Sequence, residues 1–365
     1  MRTWLEISRR NLIHNAAVTR RFLAPRTMVL AVVKSNAYGH GIKQVVSVLK
    51  SKVDWFGVAN LEEALELSEI TSKKPILILS SYEFSSVACR KAVLLGVRFP
   101  LYTIPQAKFL HKLGTRIKQK IPIHLKIDTG TSRIGLLPKD FMSFYKAVSR
   151  LKGLKIEGLY SHFADSEGDV NYTKMQISRF SAISRSLRQE YPNLICHIAC
   201  SASLARYPNA RFDMVRAGIM LYGLSSSKQL LKSGLRPVLE WKTKIIDIKS
   251  LPANTPVGYG LTYRTKRPLN LAVLPIGYAD GYDRLLSNRG EVLISGKFAP
   301  IIGRICMNLS MVDVSKIQAR LGDEVVLIGR QGLKKIGAID VADASSTIHY
   351  ETVTRINWTL PRILV

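Results

Sequence analysis

The chain has 365 residues, 47% of them hydrophobic and 22% charged, an ordinary globular makeup with room for two domains or for one large barrel plus an appendage. It holds no low-complexity run and no repeat of fixed short period, which excludes fibrous and repeat architectures. The net charge of +28 comes from Lys and Arg scattered along the whole length without an RGG, zinc-knuckle or basic-helix signature, so specific nucleic-acid binding is not expected and attraction of anionic small molecules is.

The opening MRTWLEISRRNLIHN has no apolar centre of signal-peptide length, and no stretch approaches about 18 uninterrupted apolar residues, so a soluble cytoplasmic protein without membrane attachment is expected. From there to about Pro237, short apolar runs alternate with helical patterns. Strands are predicted at 28–33, 55–59, 75–79, 98–102, 121–127, 154–161, 195–199 and 214–217. Between them, Asn60 is predicted to cap a helix whose first turn carries Glu62 and Glu63 and whose Leu61, Ala64 and Leu65 share a face. Another helical pattern runs from Tyr172 to Glu190 and stops before Pro192. Strand–helix alternation of this kind fits a (β/α)₈ barrel, and on pattern alone also a doubly wound sheet.

After about Pro237 the pattern changes to short alternating runs broken by Gly, Pro, Asn and Asp: WKTKIIDIKSL, NLAVLPIGY, EVLISG, APIIGRICM, LSMVDV and DEVVLIG. No long helical pattern returns until near Ala338. The expected organisation is a barrel over 9–237 and a mostly β domain over 238–365, with T-W-L-E-I at the start adding a strand to the second domain.

In a barrel of this class the chemistry gathers at the carboxyl ends of the strands. The first of these strands runs T-M-V-L-A-V-V into Lys34, followed by a glycine-punctuated loop with Tyr38. A lysine held beside apolar walls has a lowered pKa and a free amine that attacks carbonyls, so Lys34 suits a Schiff-base lysine; its position alone also fits a solvated lysine at a strand end. The fifth strand carries Lys126 and Asp128, with Arg133 in the loop after it, and the sixth ends at His162. Ser201 opens a helix after the seventh, and Arg216 precedes Gly218 after the eighth. Each has a plainer structural reading: a hydrogen-bonded core histidine, arginines paired with Asp128 or Asp213, a helix cap. The hydroxyl of Ser201 and the Arg216-Ala217-Gly218-Ile219 turn suit an anion, and phosphate sites after the seventh and eighth strands recur in barrels. A Schiff-base lysine with a phosphate site implies pyridoxal 5′-phosphate; no GxGxxG or GxxxxGK[ST] loop is present. The C-H-I-A-C cluster of Cys196, His197 and Cys200 lacks a second ligand pair, so buried thiols are expected there and no metal.

On AVVKSNAYGHG, KIDTGTSRIG, SHFADSE, VRAGIMLYG, PVGYGLTYR, LPIGYADGYDR, GRICMNLSMVDV and the late HYE, the chain resembles the bacterial alanine racemases, fold-type III pyridoxal-phosphate enzymes, over nearly its full length. The resemblance implies a homodimer with shared active sites, converting L-alanine to D-alanine for peptidoglycan. Lys34 would hold the cofactor and act as base on one face of Cα, with Tyr278 of the partner subunit as base on the other. A tyrosine's ordinary pKa near 10 is high for that task and needs positive charge nearby. Arg216 would face the pyridine nitrogen, with His162 behind it. Tyr38, Ser201, Gly218, Ile219 and Tyr350 would hold the phosphate. Arg133 and Met307, the latter again from the partner, would position the substrate carboxylate and the cofactor's phenolic oxygen. The lysine matching Lys126 is carbamylated in some members. Broad-specificity small amino-acid (for example serine) racemases share these motifs but ordinarily carry a signal peptide. The chain departs from the family pattern at Cys200 (usually Asn), Asn308 (usually Asp), His349 (usually Pro) and Thr131-Ser132 (usually Met-Gly). Tyr259 and Tyr263 fit entrance lining and packing equally.

Overall fold

A computed structural model describes residues 1–71, 73–225 and 227–365. The chain divides into two compact units, one of residues 12–35 and 45–236, the other of residues 1–11, 36–44 and 237–365. The chain begins with β1 (Thr3–Ile7), a strand of the second unit.

The first unit carries eight parallel strands, β2 (Met28–Val32), β3 (Trp55–Val58), β4 (Ile76–Ile78), β5 (Val97–Leu101), β6 (Ile121–Lys126), β7 (Leu154–Tyr160), β8 (Ile195–His197) and β9 (Met214–Ala217). They pair in the order β8-β7-β6-β5-β4-β3-β2-β9. The ends of that path meet, since the Arg216 N–H donates to the Ala199 carbonyl and Cys200 bridges Arg216. A closed ring excludes the doubly wound sheet, which has two free edges. The strands read as continuous apolar runs because both of their faces are covered, and Leu30, Phe56, Leu77, Phe99 and Leu125 are fully buried. Asn60 caps its helix as expected, its side chain accepting from the Glu63 N–H, but the buried face is Leu61, Ala64, Leu67 and Ser68; Leu65 is half-exposed. The long helix starts at Val170 because Asp169 caps it, accepting from the Tyr172 N–H.

The second unit is mostly β. It holds β10 (Leu239–Lys244), β11 (Asp247–Leu251), β12 (Pro256–Val257), β13 (Tyr263–Arg264), β14 (Leu269–Leu274), β15 (Glu291–Ile294), β16 (Lys297–Pro300), β17 (Ser310–Asp313), β18 (Glu324–Gln331), β19 (Lys334–Ile336) and β20 (Arg362–Leu364). β1 lies between β10, antiparallel, and β20, parallel, in the sheet β16-β15-β18-β10-β1-β20. The run APIIGRICM is not the strand that its hydropathy suggests: β16 ends at Pro300, Ile301 makes a lone bridge to Val312, and the rest is loop. Proline ends the ladder there, and the left-handed Gly303 turns the chain. Helices at Ala338–Ala344 and His349–Thr354 follow near the end. Residues 36–44 belong to this unit because Gly39 lies against the Val353 backbone, where a Cβ would come within 1.9 Å of the carbonyl oxygen, and Arg362 Nε donates to the Gly39 carbonyl. No helix among the described residues is long and apolar enough to cross a membrane.

Candidate active site

Lys34 follows β2 directly and opens a turn, Lys34–Tyr38, in which Ser35, Asn36, Ala37 and Tyr38 are all left-handed, with φ between 51° and 54°. Left-handed backbone costs about 1–2 kcal/mol per non-glycine residue, so this turn exists only because other contacts hold it. Glu63 supplies one clamp, its two carboxylate oxygens accepting from the Ser35 N–H at 2.6 Å and the Ala59 N–H at 2.7 Å. Asn36 supplies another, its side chain accepting from the Ile42 N–H at 2.7 Å. Burial, then the charge of Arg133, lowers the pKa of the half-buried Lys34 amine, with Glu63 opposing.

The barrel brings Lys34, Lys126, Asp128, His162, Ser201, Arg216 and Gly218 to the carboxyl ends of its strands. Lys126 closes β6, buried, its Nζ 3.2 Å from the Leu79 carbonyl and over the Tyr160 ring. Burial and the cations Arg216, Arg133 and Lys34 bring its pKa down to about 7. Among the described residues, Asp128 forms no salt bridge with a guanidinium. Its carboxylate accepts from the backbone N–H groups of Gly130, Thr131 and Arg133 and from the Thr131 hydroxyl, which folds the loop that presents the exposed Arg133. These bonds hold the carboxyl below the usual range although burial opposes them.

Arg216 is the most constrained side chain here, 5% exposed. Nη1 donates to the His197 carbonyl at 3.1 Å and lies 2.8 Å from His197 Nδ1. Nη2 donates to the Ser161 and Ile198 carbonyls at 2.6 and 3.0 Å and lies 3.1 Å from His162 Nδ1. Burial lowers its pKa to about 10, which leaves it charged at neutral pH. Burial and then the charges of Arg216, Arg133, Lys126 and Lys34 hold His162 well below the ordinary histidine value, so its ring is neutral and its Nδ1 accepts. Asp213 pairs with Arg188, not with Arg216.

Ser201 opens the helix Ser201–Arg206, and its Oγ accepts from the Gly218 N–H at 2.8 Å. The Gly218 N–H is thus taken within the protein, and what Ser201 has left for an anion is its hydroxyl hydrogen. Ile219 starts the buried turn after Gly218. Cys200 precedes the helix, with Sγ 3.6 Å from Ser166 Oγ; Cys196 is buried, and all four cysteines are free. Four cationic side chains thus share this rim with the carboxylates of Asp128 and Glu63, a surplus that suits a dianionic phosphate and a carboxylate.

In the second unit, Tyr278 stands in the turn Tyr278–Asp280, 43% exposed. Its N–H donates to the Cys306 carbonyl and that of Ala279 to the Met307 carbonyl, which brings Tyr278 and Met307 onto adjacent backbone. Gly277 permits this approach, because a Cβ there would meet both carbonyl oxygens at 2.3 Å. Asn357 pins the other side, donating to the carbonyls of Ala279 and Asp280. The Tyr38 and Tyr350 rings lie 6.3 Å apart, and the buried His349 ring lies 4.7 Å from that of Tyr350. Asn308 and Ser132 are exposed. Tyr263 packs against the cluster of Val257, Leu269, Leu271 and Ile302, while Tyr259 is 73% exposed.

The histidines His124 and His197 were not among the expected site residues. His124 sits two residues before Lys126 and so shares its strand face, which is a legible signal. His197 lies inside the C-H-I-A-C cluster, where the flanking thiols are the more conspicuous feature. Among the described residues no group of three or more His, Cys, Asp or Glu side chains is placed to hold a metal ion.

Two family models match the chain: "Alanine racemase, N-terminal domain" over residues 7–226 and "Alanine racemase, C-terminal domain" over residues 238–364. The chain is 41% identical to alanine racemase 2 of Caldanaerobacter subterraneus subsp. tengcongensis over 369 residues, covering 100% of this chain and 95% of that protein. It is 37% identical to the alanine racemase of Methanococcus maripaludis, with 99% and 98% covered. Among solved structures, the alanine racemase of D-cycloserine-producing Streptomyces lavendulae superposes with a TM-score of 0.93 at 32% identity, covering 100% of this chain and 97% of that one. The Bacillus anthracis alanine racemase with bound L-Ala-P gives 0.91 at 33% identity, covering 100% and 95%.

Proposed function

The chain belongs to the alanine racemase family, isomerases that act on alanine, and from that premise we propose that it interconverts L- and D-alanine with pyridoxal 5′-phosphate as cofactor, as a cytoplasmic homodimer that supplies D-alanine for peptidoglycan. The observation that carries this is the rim itself: a half-buried lysine of lowered pKa, a buried arginine, and a surplus of positive charge.

Bound pyridoxal phosphate withdraws electrons from the amino acid's Cα and makes its proton removable. The residues supply the rest. Lys34 would hold the cofactor covalently at rest, and once the substrate's amine had taken its place on the cofactor, the freed Lys34 amine would take or return a proton on one face of Cα. Tyr278 of the partner subunit does the same on the opposite face, which inversion requires. The exposure of Tyr278, Met307, Leu309, Tyr259 and Leu261 on the second unit supports a role at a subunit interface. Ser201, Ile219, Tyr38 and Tyr350 would hold the phosphate, with the Gly218 N–H orienting the Ser201 hydroxyl toward it, and Arg133 and Met307 of the partner subunit would position the substrate carboxylate and the cofactor's phenolic oxygen. Arg216, buttressed by His162, would face the pyridine nitrogen. A guanidinium that keeps its proton leaves that nitrogen a weaker electron sink, which favours proton exchange over decarboxylation and transamination. Replacing Arg216 with Glu is therefore expected to raise by-products such as pyruvate relative to D-alanine; an unchanged ratio counts against this role.

Lys126, with its pKa near 7, is a largely neutral amine in mildly alkaline solution, and such an amine adds carbon dioxide. We expect a carbamate on Lys126, placing a negative charge among the cations, detected as a carbonyl signal by NMR after exposure to ¹³C-bicarbonate and lost in Lys126→Ala. Without carbon dioxide, the shift from 10.5 to about 7 means that the unfolded chain holds a proton that the folded one has released. Stability from this group then rises with pH between those values and falls as pH drops through them.

The deciding experiment is reconstitution. Protein supplied with pyridoxal phosphate and then reduced with borohydride should carry the cofactor on the Lys34 peptide, and unreduced protein should turn L-alanine into D-alanine. Cofactor retained elsewhere, or no D-alanine, overturns the reading.

A further inference from the structure

Arg216 stands at one end of a line of polar groups that runs through the buried His197 and His124 to the partly exposed Glu157. His197 Nδ1 is 2.8 Å from Arg216 Nη1, and His197 Nε2 is 2.9 Å from His124 Nδ1. His124 Nε2 makes no hydrogen bond among the described residues and has Glu157 Oε2 at 3.6 Å, an ion-pair distance; the same oxygen accepts from Arg98 Nε at 2.9 Å. Both histidines are fully buried. They are boxed by rings: Tyr160 stacks on His197 with an interplanar angle of 3°, Trp55 meets His124 edge-on, and Arg98 lies over Trp55. Gly158 is part of the arrangement, because a Cβ there would fall 2.3 Å from His124 Nδ1.

The direction of every link follows from chemistry. An arginine only donates, so His197 Nδ1 accepts. A neutral imidazole has one donor, so His197 carries its proton on Nε2 and gives it to His124 Nδ1. His124 therefore carries its proton on Nε2 and turns it toward Glu157, whose ionised carboxylate only accepts. Burial holds both rings neutral; burial also acts to raise the Glu157 carboxyl, but the Arg98 hydrogen bond, with His124 close by, holds it down at about 2.

We propose that Glu157 is a positioning residue for Arg216, acting through His124 and His197. The carboxylate fixes both tautomers, makes His197 a stronger acceptor, and so keeps Arg216 turned to His197 with its proton retained. The consequence for the reaction rests on Arg216 facing the pyridine nitrogen as proposed above; the tautomers do not depend on it.

The test uses the full chain labelled with ¹⁵N-histidine, without cofactor, in long-range proton–nitrogen spectra. In the wild type both rings should show Nε2–H and a bare Nδ1. Glu157→Gln keeps an acceptor oxygen and should preserve that pattern, whereas Glu157→Leu should leave His124 and His197 as tautomer mixtures. His124→Phe fills the same space, interrupts the line, and should release His197 alone, which covers the case of a Glu157→Leu chain that does not fold. With cofactor, the ratio of pyruvate to D-alanine should rise by about 10-fold in Glu157→Leu, the scale of losing an outer partner of a site histidine, and Glu157→Gln should restore most of it. A wild-type His197 protonated on Nδ1, or a His197 unchanged in both interrupting variants, overturns the proposal. So does a by-product ratio unmoved where the tautomers have changed. A wild type that makes no D-alanine counts against the proposed function, while the cofactor-free spectra still decide the tautomers.

Discussion

Lys34→Ala is expected to lower D-alanine formation by about 10⁴-fold or more, because in the proposed mechanism one residue serves as both covalent anchor and base. The amine stands where β2 ends, with burial and Arg133 favouring its neutral form. A lowered pKa means that the reactive free amine is present at lower pH than on an ordinary lysine. Alanine removes the anchor without disturbing the clamps on the turn, since Glu63 and Asn36 act through the Ser35 and Ile42 N–H groups and not through Lys34. The variant should therefore fold with the circular dichroism of the wild type. It should lose cofactor on gel filtration after borohydride, whereas the wild type keeps it. Activity within 10-fold of the wild type would remove Lys34 from the chemistry.

The barrel was legible in the sequence because each of its strands is a bounded apolar run, a signal that depends only on burial. The rim residues were legible for a related reason: the ends of those runs are fixed, and Lys34, Lys126, His162, Ser201 and Arg216 stand at them. What was hidden depends on partners distant in sequence. Asp128 beside Arg133 reads as an ion pair, yet its oxygens serve the loop backbone, because three N–H groups within five residues are nearer than a flexible guanidinium. The left-handed turn after Lys34 could not be read, since of Ser35, Asn36, Ala37 and Tyr38 only asparagine favours that conformation, and the clamp from Glu63 comes from 28 residues away. His197 was hidden by the thiols around it, and its partners Arg216 and His124 are 19 and 73 residues distant. In the second unit, APIIGRICM has strand hydropathy but wraps under Gly277 instead, where Cys306 and Met307 offer their carbonyls to the Tyr278 turn.

Tyr278→Phe is expected to lower racemisation by about 10²–10⁴-fold, the usual worth of one acid–base group, while leaving the fold intact, because the turn is held by backbone bonds and by Asn357, none of which uses the phenol. The loss should be one-sided. With Lys34 still present, one enantiomer of alanine should continue to exchange its Cα proton with deuterated solvent, and the other should not; inversion, which needs both faces, collapses. Equal loss of exchange from both enantiomers would mean that the phenol does something other than serve a single face. Sharing between subunits makes a second demand. In the proposed dimer, Lys34→Ala and Tyr278→Phe homodimers should each racemise poorly, but a mixed dimer would assemble one site with both residues and one with neither. Random pairing of equal amounts should then restore about one quarter of wild-type activity. Failure to recover activity once subunit exchange is verified would place both bases in one chain and leave the exposed Tyr278 and Met307 side chains in need of another explanation.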